Sequence, residues 1–271
     1  MGDPPQAWHS PWTLSLSGSG LHPAAKAVML GARHTTHGAR APSMYIAIEG
    51  VIGVGKTSLA RLLQPIFATE LLLEIFEENP FLSDFYSDRR RYAFQTQIFF
   101  LLSRYRQQKA LVPAALARGS LIADYTFEKD SLFARLNLDG DELDTYHRLH
   151  EALAERLLRP DLVVYLQADT EVALQRIALR DRPYERNMDN AYIAALNQAY
   201  EDHFCDYQSG RLLTVETNGL DFVHRSEDLA FIADRIRLTL AIPTFQPELP
   251  FSDSDAGRDQ TAESRSQGAS G

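Results

Sequence analysis

The chain has 271 residues, 45% of them hydrophobic and 23% charged, enough apolar material for one substantial globular core. Its formal net charge of −9 excludes polymeric DNA or RNA as the expected partner, because such affinity rests on Lys and Arg neutralising phosphates. The single cysteine, Cys205, excludes an internal disulfide and a Cys-rich zinc site, fits a reducing cytoplasm, and is expected to be a buried thiol.

Residues 1–43 are rich in Gly, Pro, Ser, Ala and His without a period of 2 or 3.6, so they are expected to form a disordered extension. Met44 stands directly before the first convincing strand, and the native protein is read as able to begin there. No apolar run reaches the roughly 18 residues that span a bilayer. Lys26 interrupts the nearest approach to a signal core at residues 24–30, so no secretion signal or membrane partner is expected; the acidic-poor composition leaves an organellar transit peptide open.

Strands are expected at 45–49, 71–76, 120–124, 161–167 and 212–216, where short β-branched apolar runs lack polar alternation and so predict burial on both faces. Helical patterns at 56–68, 90–111, 128–138, 142–158, 170–180, 189–206 and 226–241 alternate with them. That alternation predicts an α/β domain over 44–242, a three-layer sandwich around a parallel five-stranded sheet. Residues 243–271 carry Glu248, Asp253, Asp255, Asp259 and Glu263 against Arg258 and Arg265, and read as a disordered acidic tail.

The segment Gly50-Val51-Ile52-Gly53-Val54-Gly55-Lys56-Thr57 satisfies the pattern G-x-x-x-x-G-K-[ST] and lies between an expected strand and an expected helix, which begins through Ser58. Glycines let successive backbone N–H groups turn inward on phosphate oxygens, while the helix N-terminus adds partial positive charge. Lys56 would bridge the β- and γ-phosphates of ATP, and the Thr57 hydroxyl would ligate Mg²⁺. Neither Asp-x-x-Gly nor Asn-Lys-x-Asp occurs, which disfavours a GTPase-type switch. Arg176, Arg180, Arg182 and Arg186 gather at the end of one helix, either as a lid clamping transferring phosphoryl oxygens or as a solvated basic surface.

Several ordered stretches resemble the deoxynucleoside kinase family, especially its bacterial deoxyguanosine and deoxyadenosine kinases, over about residues 44–241. They are Ile46-Ala-Ile-Glu-Gly50 with the loop, Glu74-Ile-Phe-Glu-Glu-Asn-Pro80, Tyr92-Ala-Phe-Gln-Thr-Gln-Ile-Phe-Phe100, Ser103-Arg104-Tyr105-Arg106, Ile122-Ala-Asp-Tyr125 and 176–185. The resemblance implies phosphorylation of the 5′-hydroxyl of a purine deoxynucleoside, or deoxycytidine, with Glu74 as the base accepting the hydroxyl proton. Glu77 and Glu78 compete for that role, and a carboxylate holding the hydroxyl in line suits phosphoryl transfer on chemical grounds. Gln97 and Arg104 stand two helical turns apart on one face. The resemblance makes them the readers of the nucleobase edge, with Asp130 as partner of the arginine.

By the same resemblance Tyr86 and Glu185 hold the deoxyribose 3′-hydroxyl, and Asp124 supports Mg²⁺ and the reacting groups. The family follows that acid with Arg and Ser, whereas this chain has Tyr125 and Thr126, so a lid arginine or Lys129 must supply the missing cation. The resemblance also implies a homodimer, or a heterodimer with a related kinase. A thymidylate-like monophosphate kinase and a non-catalytic ATP-binding regulator are the competing functions. Phe94, Phe99 and Phe100 are expected in the core, and His147 and His150 on a solvated helix face without metal spacing.

Overall fold

A computed structural model describes residues 43–75, 79–182, 185 and 188–242. The expected disordered termini beyond residue 43 and residue 242, the competing Glu77 and Glu78, and Arg186 lie outside the described residues.

Strands β1 (Tyr45–Glu49), β2 (Glu70–Leu72), β3 (Leu121–Ala123), β4 (Leu162–Gln167) and β5 (Leu212–Glu216) form a five-stranded sheet in the order β2-β3-β1-β4-β5. Every pairing is parallel, with Ile46 opposite Ile122 on one side and Leu162 on the other. The strands fit the expected double burial: Ile46, Ile48 and Ile122 pack on one face, while Tyr45, Ala47, Leu121 and Ala123 pack on the other.

The helices are α1 (Lys56–Phe67), α2 (Leu82–Ser87), α3 (Arg89–Arg118), α4 (Lys129–Asn137), α5 (Gly140–Ala154), α6 (Thr170–Arg180), α7 (Asn190–Cys205) and α8 (Ser226–Leu240). The chain leaves central β1 for edge strand β2, returns to β3 beside β1, and then crosses to β4 on the opposite side. Such a reversal opens a crevice beyond the carboxyl ends of the strands, where ligands bind in open α/β sheets.

Four details differ from the sequence reading. Helix α3 runs through Pro113 to Arg118 instead of stopping at 111. Proline removes one hydrogen bond to the carbonyl four residues back, but that residue, Lys109, and Pro113 itself are exposed, while Val112 and Ala115 keep the helix packed on the sheet. Helix α2 was not expected; its six residues are too few to show a period, and Tyr86 sits on it. Strand β2 stops at Leu72, so Glu74 lies on the segment beyond the strand rather than within it. Cys205 is exposed, because it ends α7 one residue past Phe204 on the buried Tyr192, Leu196 and Tyr200 stripe.

Candidate active site

Strand β1 ends in Glu49, whose buried carboxylate meets four donors. Oε1 accepts from the Thr126 N–H at 2.5 Å and its hydroxyl at 3.0 Å; Oε2 accepts from the Gly50 N–H and the Tyr200 hydroxyl, both at 3.2 Å. Full pairing of this kind is what makes a buried carboxylate tolerable. It also ties the start of the phosphate loop to the segment that follows β3. At Gly50 φ is 144°, and a Cβ would stand 2.4 Å from the Leu166 carbonyl oxygen; at Gly53, with φ 88°, it would stand 2.7 Å from that of Ala173. Only glycine fits this loop at both positions.

Helix α1 follows Gly55 without a side-chain cap, leaving its first N–H groups for a ligand. Lys56 Nζ donates to the loop's own carbonyls, Gly50 at 2.6 Å and Val51 at 3.1 Å. Burial pushes its pKa down to about 8, aided by the neighbouring Lys129 cation and opposed by Glu49, Glu74 and Asp124. The Thr57 hydroxyl donates to Asp124 Oδ2 at 2.5 Å, and Asp124 Oδ1 accepts the Glu74 N–H at 2.7 Å. One carboxylate thus joins the phosphate loop to the segment carrying Glu74.

Glu74 sits in a chain of alternating charges. Arg104 donates to Oε1 through two nitrogens, Lys129 Nζ donates to Oε2 at 2.5 Å, and the other side of Arg104 pairs with Asp130. Lys129 and Asp130 are sequence neighbours at the start of α4, so one helix end supplies both a cation for Glu74 and an anion for Arg104. Burial disfavours a charged Glu74, but Arg104 and Lys129 outweigh it and hold the carboxyl well below the usual carboxylate range.

These groups line a pocket of about 830 Å³, counting its open mouth. Lys56, Thr57 and Asp124 form one wall, and Gln97, Arg104 and Thr96 of α3 form another. Gln97 and Arg104 share a face as expected, and both are buried. The Gln97 Oε1 and Thr96 Oγ1 atoms have no hydrogen-bond partner among the described residues. Buried polar atoms are normally paired, so such orphans beside a cavity point to a polar ligand. Tyr86 joins the lining from α2, and Arg180, Arg182 and Glu185 join it from the end of α6 and the turn beyond.

Arg180 chelates the buried Glu185 carboxylate with bonds of 2.6 Å to each oxygen, and Arg182 lies 3.7 Å from it. Arg176 is not in the pocket lining. Its guanidinium reaches the Val54 carbonyl at 3.2 Å, the Thr217 carbonyl at 2.8 Å, the Thr217 hydroxyl at 3.1 Å and the Leu220 carbonyl at 3.4 Å. It fastens the phosphate loop to the loop after β5. Asp130 stands behind Arg104 rather than in the lining.

A profile of the deoxynucleoside kinase family matches residues 46–240. The chain belongs to the deoxynucleoside kinase family. It is a phosphotransferase with an alcohol acceptor, phosphorylating deoxynucleosides at the expense of ATP. It is similar to the deoxyguanosine kinase of Bacillus subtilis (strain 168), with 34% identity over 198 residues covering 71% of this chain and 96% of that one. It is also similar to the deoxyadenosine kinase of Dictyostelium discoideum, with 37% identity over 184 residues covering 66% and 74%. Among solved structures, the deoxyadenosine kinase from M. mycoides, with products dCMP and dCDP bound, superposes with a TM-score of 0.64 and 27% identity, covering 72% of this chain and all of that one. No helix among the described residues is long and apolar enough to cross a membrane.

The sequence reading missed part of the lining. Phe100, expected in the core, faces the pocket with the Arg104 guanidinium 4.5 Å above its ring, and Phe85, Phe133 and Tyr192 also contribute. Apolar residues at helical spacing carry no mark separating a pocket wall from a core. His150, expected to be solvated, stacks on Phe127 at 4.8 Å, and burial lowers its pKa. Among the described residues no group of three metal-ligating side chains occurs.

Proposed function

We propose that the chain transfers the γ-phosphate of ATP to the 5′-hydroxyl of a purine deoxynucleoside, deoxyguanosine or deoxyadenosine. The observation that carries this reading is the gathering in one pocket of the phosphate loop, Glu74 and the unpartnered Gln97 amide oxygen. Lys56, the backbone of the 50–58 loop, and Arg180 and Arg182 hold the triphosphate, with Arg176 supporting the loop on the donor side. Glu74 aligns the 5′-hydroxyl, Tyr86 and Glu185 take the 3′-hydroxyl, and Gln97 and Arg104, backed by Asp130, take the base edge. An amide offers donor and acceptor together, which suits a purine edge. The names of the deoxyguanosine and deoxyadenosine kinase relatives favour purines. Deoxycytidine is a second reading, favoured by the dCMP in the similar M. mycoides structure.

Thr57 and Asp124 would hold Mg²⁺; a hydroxyl and a carboxylate 2.5 Å apart fit a cation that takes few protein ligands and completes its shell with phosphate and water. When bound, it neutralises charge on the phosphate oxygens. The dimeric state, with itself or with a related kinase, and a cytoplasmic location rest on family resemblance and on the single cysteine.

The test is a phosphorylation assay of the full chain with ATP and each of the four deoxynucleosides beside the four monophosphates. The expected acceptors are deoxynucleosides; turnover confined to monophosphates refutes the proposal. Glu74→Gln is expected to lower turnover at least a hundredfold while ATP binding by calorimetry persists, and unaltered turnover removes Glu74 from the mechanism.

A further inference from the structure

Lys129, one of the cations that could replace the missing arginine beside Asp124, is a buried ammonium with no part in the roles proposed above. Its side chain is 6% exposed, and its Nζ sits 2.5 Å from Glu74 Oε2 and 5.5 Å from the centre of the Phe133 ring. Burying an ammonium is unfavourable unless it is paired, and Lys129 needs only one of its three N–H donors for its partner, Glu74. Arg104 already meets its other oxygen with two nitrogens.

Position counts further. Lys129 lines the pocket together with Lys56, Thr57 and Asp124, and it is close enough to Lys56 to weaken that residue's hold on its proton. Tyr125, the residue after Asp124, brings no charge here; it is fully buried, and its hydroxyl donates to Gln107 Oε1 at 2.6 Å. A hydroxyl accepted by Glu74 Oε2 at about 2.7 Å lies within about 5 Å of the Lys129 nitrogen. The phosphorus it attacks would lie on the phosphate-loop side of that hydroxyl, in the pocket that both lysines line.

We propose that Lys129 is a catalytic residue, the cation on the acceptor side of the transferring phosphoryl group, opposite Lys56 on the donor side. The bond from the 5′-oxygen to the γ-phosphorus forms, and the bond from that phosphorus to the β-phosphate bridging oxygen breaks, its electron pair leaving on ADP. The hydroxyl proton passes to Glu74. Lys129 keeps its protons throughout and donates to equatorial oxygens of the γ-phosphoryl, where charge is spread in the transition state.

This rests on the reading that Glu74 faces the acceptor hydroxyl, and the experiment separates the two. Steady-state kcat and KM for deoxynucleoside and ATP are measured for the full chain carrying Lys129→Gln, Lys129→Met or Lys129→Arg, beside Glu74→Gln. Gln keeps a neutral donor to Glu74, Met keeps the apolar stem, and Arg keeps the charge; circular dichroism and melting curves establish folding. The expected result is a fall in kcat of about a hundredfold in Gln and Met, a KM for deoxynucleoside within threefold, and Arg at least tenfold more active than Gln. If Met does not fold, Gln carries the comparison. A folded Gln or Met variant with less than a tenfold loss in kcat, or a loss confined to KM, overturns the role of Lys129 even where Glu74→Gln is inactive. Full activity of Glu74→Gln overturns the underlying reading instead.

Discussion

Asp130→Asn tests the charge chain directly. Asp130 is fully buried, and its carboxylate pairs with Arg104. Lys129, Glu74, Arg104 and Asp130 together sum to zero charge; the Asn variant leaves a net +1 in an enclosed site. Breaking a buried pair by removing one partner costs about 3–5 kcal/mol, since the remaining charge stays desolvated. For a domain of this size that corresponds to a melting temperature lower by about 10 °C.

The sign of the coupling distinguishes this account from simple loss of contacts. Arg104→Met alone leaves a net −1, but the double variant Asp130→Asn, Arg104→Met returns the site to zero, with Lys129 still paired to Glu74. Urea unfolding followed by fluorescence and circular dichroism should find the double variant more stable than Asp130→Asn alone, with a coupling energy of about 2 kcal/mol or more. An Asp130→Asn cost under about 1 kcal/mol, or costs that simply add, refutes the charge-balance reasoning.

Two further predictions concern the phosphate loop. Lys56, with its pKa near 8, should take up protons when ATP binds at pH 8–9, because phosphate favours the ammonium; calorimetry in buffers of different ionisation heat should show the uptake, and it should vanish near pH 6. Since that pKa lies below the unfolded value of 10.5, the unfolded chain binds more protons between about pH 8 and 10.5, and the contribution of Lys56 to stability rises with pH across that window. Arg176→Ala frees the 217–220 loop from Val54 and should raise the KM for ATP about tenfold, with the KM for deoxynucleoside nearly unchanged; equal changes in both would refute a donor-side role.

The sheet was legible because β1, β3 and β4 are buried on both faces and write themselves as unbroken apolar runs. Helix α3 was half legible. Its pocket-lining Gln97 and Arg104 and the buried Gln108 are polar residues that interrupt the apolar stripe, and a helix ending at 111 falls short because sequence does not show that the bond lost at Pro113 falls on the exposed side. The turn of the 50–57 loop could be read from spacing alone, since Gly50 and Gly53 answer to backbone geometry that no other residue meets. The charge chain could not be read from spacing. It joins residues 74, 104, 129 and 130 from three segments, and no local pattern says that Lys129 and Asp130 face opposite members of one ion pair. The pocket aromatics were illegible for a simpler reason: Phe100 and Phe133 have the spacing of core residues and differ only in that a cavity lies beside them.

The same charge balance limits what kind of base Glu74 can be. Burial alone would raise its pKa and make it a better proton acceptor, but Arg104 and Lys129 act more strongly in the other direction. Each unit by which the pKa falls removes about 1.4 kcal/mol of basicity. On the proposed reading, Glu74 therefore does not deprotonate the 5′-hydroxyl ahead of attack. A loose transition state has little need of that, since the attacking oxygen becomes acidic only as its bond to phosphorus forms. The useful property of the carboxylate is its fixed direction. Two cations hold its oxygens, Asp124 holds its backbone N–H, and Gln107 holds the preceding Leu73 carbonyl at 2.9 Å. A carboxylate fixed on four sides points a hydroxyl along one line, which the phosphate loop meets from the opposite end.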